Sequence, residues 1–164
     1  MNLTAEAPQW LALILVALLA IAAIEDAVRL RISNYISSAI LAGAIAAALI
    51  AGAELSLWQN VAVFVGLLVV GTPIFAFGVM GGGDIKLLAA TGLWFDFSGA
   101  LLMIISVFIA GGLLALVLLA VRLMKWSDAT RERIVMLRKR GGIPYGVAIA
   151  GGAGLALSLA RGWG

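Results

Sequence analysis

Apolar residues run through this chain in long blocks, broken at a few points by charged residues, glycines and turn formers. Six blocks follow: about Pro8 to Val28, Asn34 to Ala53, Leu57 to Val79, Ile85 to Phe95, Ser98 to Leu123 and Ile143 to Ala160. Five of them match the ~20 residues that an α-helix needs to cross a bilayer. The block from Ile85 is shorter: about a dozen residues rise only ~18 Å. The pattern predicts an all-α integral membrane protein, a bundle of six transmembrane helices with a short fourth helix, organised as one domain over residues 1–164. Ala44, Ala48 and Gly52 recur every fourth residue in the second block, and Ala148, Gly152 and Ala156 in the sixth. Such faces predict close helix packing in lipid.

Charge orients the bundle. Arg29 and Arg31 follow the first block, and Arg122, Lys125, Arg131, Arg133, Arg138, Lys139 and Arg140 follow the fifth. With six crossings these groups and Lys86 share one face, while Glu6, Glu54 and Asp96 lie on the other. Five crossings would place the two basic groups on opposite faces, against the positive-inside rule. The basic face is therefore read as cytoplasmic, with both termini outside. The segment "KWSDATRERIVMLRKR" places Trp126, Thr130, Ile134 and Leu137 at helical spacing, with Ser127 or Asp128 as N-cap. Two readings stand, a helix lying on the leaflet or a solvated loop of topogenic charges.

Composition narrows the chemistry. The chain is 64% hydrophobic, and its mean hydropathy is +1.16, outside the range of soluble domains. It has no cysteine and no histidine, which removes thiol chemistry, the commonest general base and the commonest metal ligand. No metal site or cofactor is expected. The pI of about 9.8 points to anionic lipid headgroups, not nucleic acid, because the positive charge sits in short loops beside apolar blocks. The first ten residues carry no Lys or Arg, so the first block is read as retained and not as a cleaved signal.

Two carboxylates stand out. Asp26 ends the first block in "AIEDAVRLRISN", and Asp84 opens the fourth in "GGGDIKLL". Two complete blocks separate them, so both lie on one side at one depth. Carboxylates there are costly and mark function. A pair without histidine suits acid–base hydrolysis: one ionised group takes a proton from water, and its protonated partner stabilises the developing oxyanion. Close carboxylates share a proton and titrate together. Gly81, Gly82 and Gly83 disfavour helix and are read as freeing the backbone for positive φ and close approach of another chain. Glu25 points about 100° from Asp26 and is left outside the pair. Lys86 either tunes the pair or reaches toward headgroups.

"GGGDIKLL" resembles the G-x-G-D motif of membrane aspartyl proteases, and its Asp-Ile-Lys-Leu continuation is similar to type IV prepilin peptidases. "RLRISN" after Asp26 resembles that family's Arg-x-x-Ile-Pro-Asn, with Ser33 in place of proline, and "GGIPYGVAIAGGAG" its Pro-Tyr-Gly-x-Ala segment. The resemblance covers the whole chain. It implies a membrane aspartic endopeptidase that removes the leader of prepilins, with Asp26 and Asp84 catalytic. Gly81, Gly83 and Lys86 would support the motif, and Arg29, Asn34, Pro144 and Tyr145 are further candidates for supporting contacts. With no Cys-x-x-Cys pairs, the chain is similar to the short, peptidase-only form serving Flp-type tight-adherence pili, without methyltransferase activity. Implied partners are prepilins or pseudopilins, anionic lipids and pilus-assembly machinery.

Two other classes use the same residues. A small proton-coupled transporter or channel would place both aspartates in a relay. A silent scaffold of a pilus machine would tolerate the loss of either.

Overall fold

The computed structural model describes residues 1–52, 56–124, 126 and 142–163. Among these residues there are seven helices and no strand: α1 (Leu3–Glu6), α2 (Gln9–Arg29), α3 (Asn34–Ala51), α4 (Leu57–Ala76), α5 (Gly82–Gly92), α6 (Phe97–Leu123) and α7 (Tyr145–Arg161). Four of them, α2, α3, α4 and α6, are long and apolar enough to cross a membrane. The protein is an all-α membrane protein. Length and composition do not by themselves carry the six crossings expected, because α7 has 17 residues and α5 only 11. The segment 125–140, read either as a helix on the leaflet or as a solvated loop, lies outside the described residues except for Trp126.

Hydrophobicity is arranged for lipid. Phe108, Leu113, Leu116 and Val117 of α6 are exposed, as are Val65, Val69 and Val70 of α4. The interior combines large apolar side chains such as Trp94, Phe95 and Met103 with small residues on the facing sides. On α2 the buried residues are Leu11, Ala12, Leu15, Leu19, Ala22 and Asp26. Leu11, Leu15, Leu19, Ala22 and Asp26 follow one another at steps of three or four, so the aspartate is the last member of the inward stripe.

Bonds between remote residues show that α2 to α7 alternate in direction. At one end Asp26 of α2 meets Gly146 of α7, Lys86 of α5 meets Asn34 of α3, and Arg122 of α6 donates to the Gly142 carbonyl. At the other end Arg161 of α7 donates to the carbonyls of Thr4 and Ala7, and Asn60 of α4 to that of Leu93. Short α5 stops partway, and the indole N–H of buried Trp94 donates to the Ile40 carbonyl in mid-α3 at 3.1 Å. The first residues, which precede the first apolar block, fold inward as α1, whose Thr4 N–H donates to the Trp94 carbonyl at 3.2 Å. Leu3 and Thr4 are fully enclosed. Thus α1 fills the depth that α5 leaves.

Boundaries moved where backbone chemistry intervened. Pro73 lies inside α4, which ends at Ala76, and Gly78 turns the chain away at φ 70°. The sequence had carried that helix to Val79. The small-residue stripe of α7 is buried throughout, whereas that of α3 ends at Gly52, an exposed C-cap. A Cβ at Gly152 would run into the backbone of Val107 on α6. One position earlier, a Cβ at Gly151 would meet nothing within 4 Å. We therefore expect Gly152→Val to destabilise the protein by ~3 kcal/mol through overpacking. Gly151→Ala should be neutral or stabilising by up to ~1 kcal/mol. Thermal denaturation of the two variants in one detergent checks this, and equal losses would contradict the packing.

Candidate active site

Asp26 and Asp84 line one open cleft of about 840 Å³ at the end of the bundle where α2 finishes and α5 begins. The cleft wall also includes Glu25, Arg29, Arg31, Ile32 and Asn34, and the glycines Gly81 to Gly83. The structure thus gathers residues from two sequence segments about fifty positions apart.

Asp26 is buried at 4% exposure. Its Oδ2 accepts a hydrogen bond from the Gly146 N–H at 2.7 Å. That donor belongs to the first turn of α7, where N–H groups have no partner within the helix. Only glycine fits: a Cβ there would stand 2.9 Å from Asp26 Oδ2 and 2.9 Å from Ile32 Cδ1. Asp84 is half-buried in the first turn of α5, where a carboxylate opposes the positive end of the helix. Its Oδ2 accepts from the Gly81 N–H at 3.2 Å, while its Oδ1 is enclosed with no hydrogen-bond partner.

The three glycines act differently from the expectation. None has positive φ. Gly81 is extended at φ −68° and ψ 146°, and Gly82 and Gly83 already belong to α5. The helix can start there because its first N–H groups need no internal partner. Close approach is what remains of the argument: a Cβ at Gly83 would lie 3.3 Å from both the Cβ and the carbonyl oxygen of Ile32.

The other predicted residues divide. Lys86 Nζ donates to Asn34 Oδ1 at 3.1 Å, tying α5 to α3 beside the cleft. Arg29, exposed, lies 3.7 Å from the partly buried Glu25. Pro144 is buried as the N-cap of α7, and Tyr145 faces a different, apolar groove. Ser33, which departs from the proline of the resembled motif, caps α3 by accepting from the Tyr35 N–H. Sequence reasoning missed Gly146, although it stood beside Pro144 and Tyr145 in a quoted motif. It also set Glu25 aside, and Glu25 lines the cleft.

The family model described as the type IV leader peptidase family matches residues 13–116, more than half of the chain. No curated protein and no solved structure matches.

Proposed function

The chain belongs to the type IV leader peptidase family, and we propose that it is a membrane aspartic endopeptidase that removes the leader of Flp-like prepilins. Asp26 and Asp84 are its catalytic residues in this reading. The observation that carries it is their position in one cleft, with Asp84 Oδ1 enclosed and unbonded. An oxygen in that state is suited to a proton exchanged with its partner or a bond to substrate.

The pair shares one proton, and the enclosed, unbonded Oδ1 of Asp84 supports placing it there. The ionised member takes a proton from water as the water oxygen attacks the scissile carbonyl carbon. The protonated member donates a hydrogen bond to the carbonyl oxygen, which gains charge. The proton taken from water then passes to the amide nitrogen, the C–N bond breaks, and a leader carboxylate and a new amine separate.

A second groove supports the substrate class. About 920 Å³ of almost wholly apolar space lies between α4 and α6, lined by Gly66, Val70, Ile74, Ile104, Phe108 and Gly112 among others. Its lining also includes Met80, Ile85 and Tyr145, the neighbours of Gly81, Asp84 and Gly146. A peptide cut at the cleft could thus lay the apolar helix that follows the cut into this groove. Cβ atoms at Gly66 and Gly112 would meet nothing within 4 Å, so the bundle's own packing does not require those glycines.

The alternating helices support six crossings, with α7 and the α1–α5 pair completing the span. The basic loops support placing the cleft at the cytoplasmic face of a bacterial inner membrane, with both termini outside. A proton-coupled relay through the aspartates is the second reading. Their position in an open cleft, next to an apolar groove, favours hydrolysis.

Two tests follow. Asp26→Asn and Asp84→Asn should each lower leader cleavage of a co-expressed prepilin by ~10³-fold while the protein still accumulates; normal processing by either variant removes that residue from the reaction. Gly112→Leu should raise KM by roughly 10-fold at unchanged kcat, a loss of ~1.4 kcal/mol in binding. An unchanged KM would place the pilin helix elsewhere.

A further inference from the structure

Glu25 does something the sequence does not announce. Its Oε2 accepts a hydrogen bond from the backbone N–H of Ser33, eight residues on, at 2.9 Å. Its other oxygen, Oε1, stands 3.7 Å from Arg29 one turn later. The carboxylate therefore closes the loop that joins α2 to α3. That loop begins with Leu30, a non-glycine residue at φ 51° and ψ 40°, a left-handed conformation that a branched side chain adopts only under constraint. A loop holding such a residue needs an anchor, and the Ser33 bond supplies one.

The loop carries Ile32, and Ile32 lies between the two halves of the site. A Cβ at Gly83, the residue before Asp84, would stand 3.3 Å from the Cβ and the carbonyl oxygen of Ile32. A Cβ at Gly146, whose N–H holds Asp26, would stand 2.9 Å from the Cδ1 of Ile32. One residue thus occupies the space beside the glycine backbone at each carboxylate.

We propose that Glu25 is the positioning residue of the aspartate pair: by anchoring the Leu30–Ser33 loop it wedges Ile32 between α5 and α7 and sets the separation of Asp26 from Asp84. This rests on the proposed peptidase reading, since it assigns a task to that same pair. Glu25 touches no reacting atom in this account. What matters is the acceptor oxygen toward Ser33, not the negative charge. Slackening the loop lets the two carboxylates drift, and misplacement by about 1 Å costs up to ~10²-fold in rate.

The test uses the full chain in nanodiscs with a synthetic prepilin peptide. Glu25→Ala should lower kcat about 10- to 100-fold with KM nearly unchanged, because the substrate groove is untouched. Glu25→Gln keeps an acceptor oxygen and should restore most of kcat, although its pairing with Arg29 is gone. The chain has no cysteine, so spin labels at Tyr35 and Val79, both exposed, report across the cleft without background. Their distance distribution should broaden in Glu25→Ala and stay narrow in Glu25→Gln. Wild-type kcat in Glu25→Ala, a Glu25→Gln variant as slow as Glu25→Ala, or a label distance blind to both substitutions would each overturn the proposal. Failure of the peptidase reading looks different: wild type would then leave the prepilin peptide uncut, or Asp26→Asn and Asp84→Asn would still cleave it, while the label distances continue to judge Glu25.

Discussion

A carboxylate buried at the end of a membrane helix must be given a hydrogen-bond donor, and the rest of this molecule is organised around that demand. Asp26 finds its donor 120 residues later in the chain, in the backbone N–H of Gly146. For that N–H to be free, it must belong to the first turn of a helix. For it to come within 2.7 Å, the residue must lack a side chain. For the two ends to meet, α7 must run opposite to α2. The buried Ala148, Gly152 and Ala156 row of α7 belongs to the packing that holds it there, with Gly152 set against the backbone of α6.

The second aspartate is presented by a different device. An eleven-residue helix is too short to fill the bundle, yet its shortness leaves Asp84 in a first turn facing the cleft and not in the middle of a span. The unfilled depth is closed from the other side by α1 and by Trp94, whose indole bonds mid-α3. Arg161 fastens this plug by donating to the carbonyls of Thr4 and Ala7. Polar backbone at membrane depth is tolerated only when protein satisfies it. These bonds meet that condition on the side away from the site.

Between the two carboxylates stands a loop of four residues. It carries one strained backbone, one anchoring bond to Glu25 and one apolar wedge. Helix N-termini of α5 and α7 converge on the cleft, so the donors that meet each aspartate are main-chain groups.

Much was legible in the order of residues alone. Long apolar blocks separated by charges announced the helices, since hydrophobic length is a local property that lipid reads directly. Counting two blocks between Asp26 and Asp84 was enough to put both at one end, and the inward stripe of α2 ends on Asp26. The short fourth helix was visible too. Four things were not: the plug formed by α1, the negative φ of the glycines before Asp84, the Gly146 donor and the grip of Glu25 on Ser33. Each depends on a single side chain or N–H meeting a partner that packing brings near, not on a repeat. Such contacts leave no periodic trace in a sequence, and only the assembled bundle decides them.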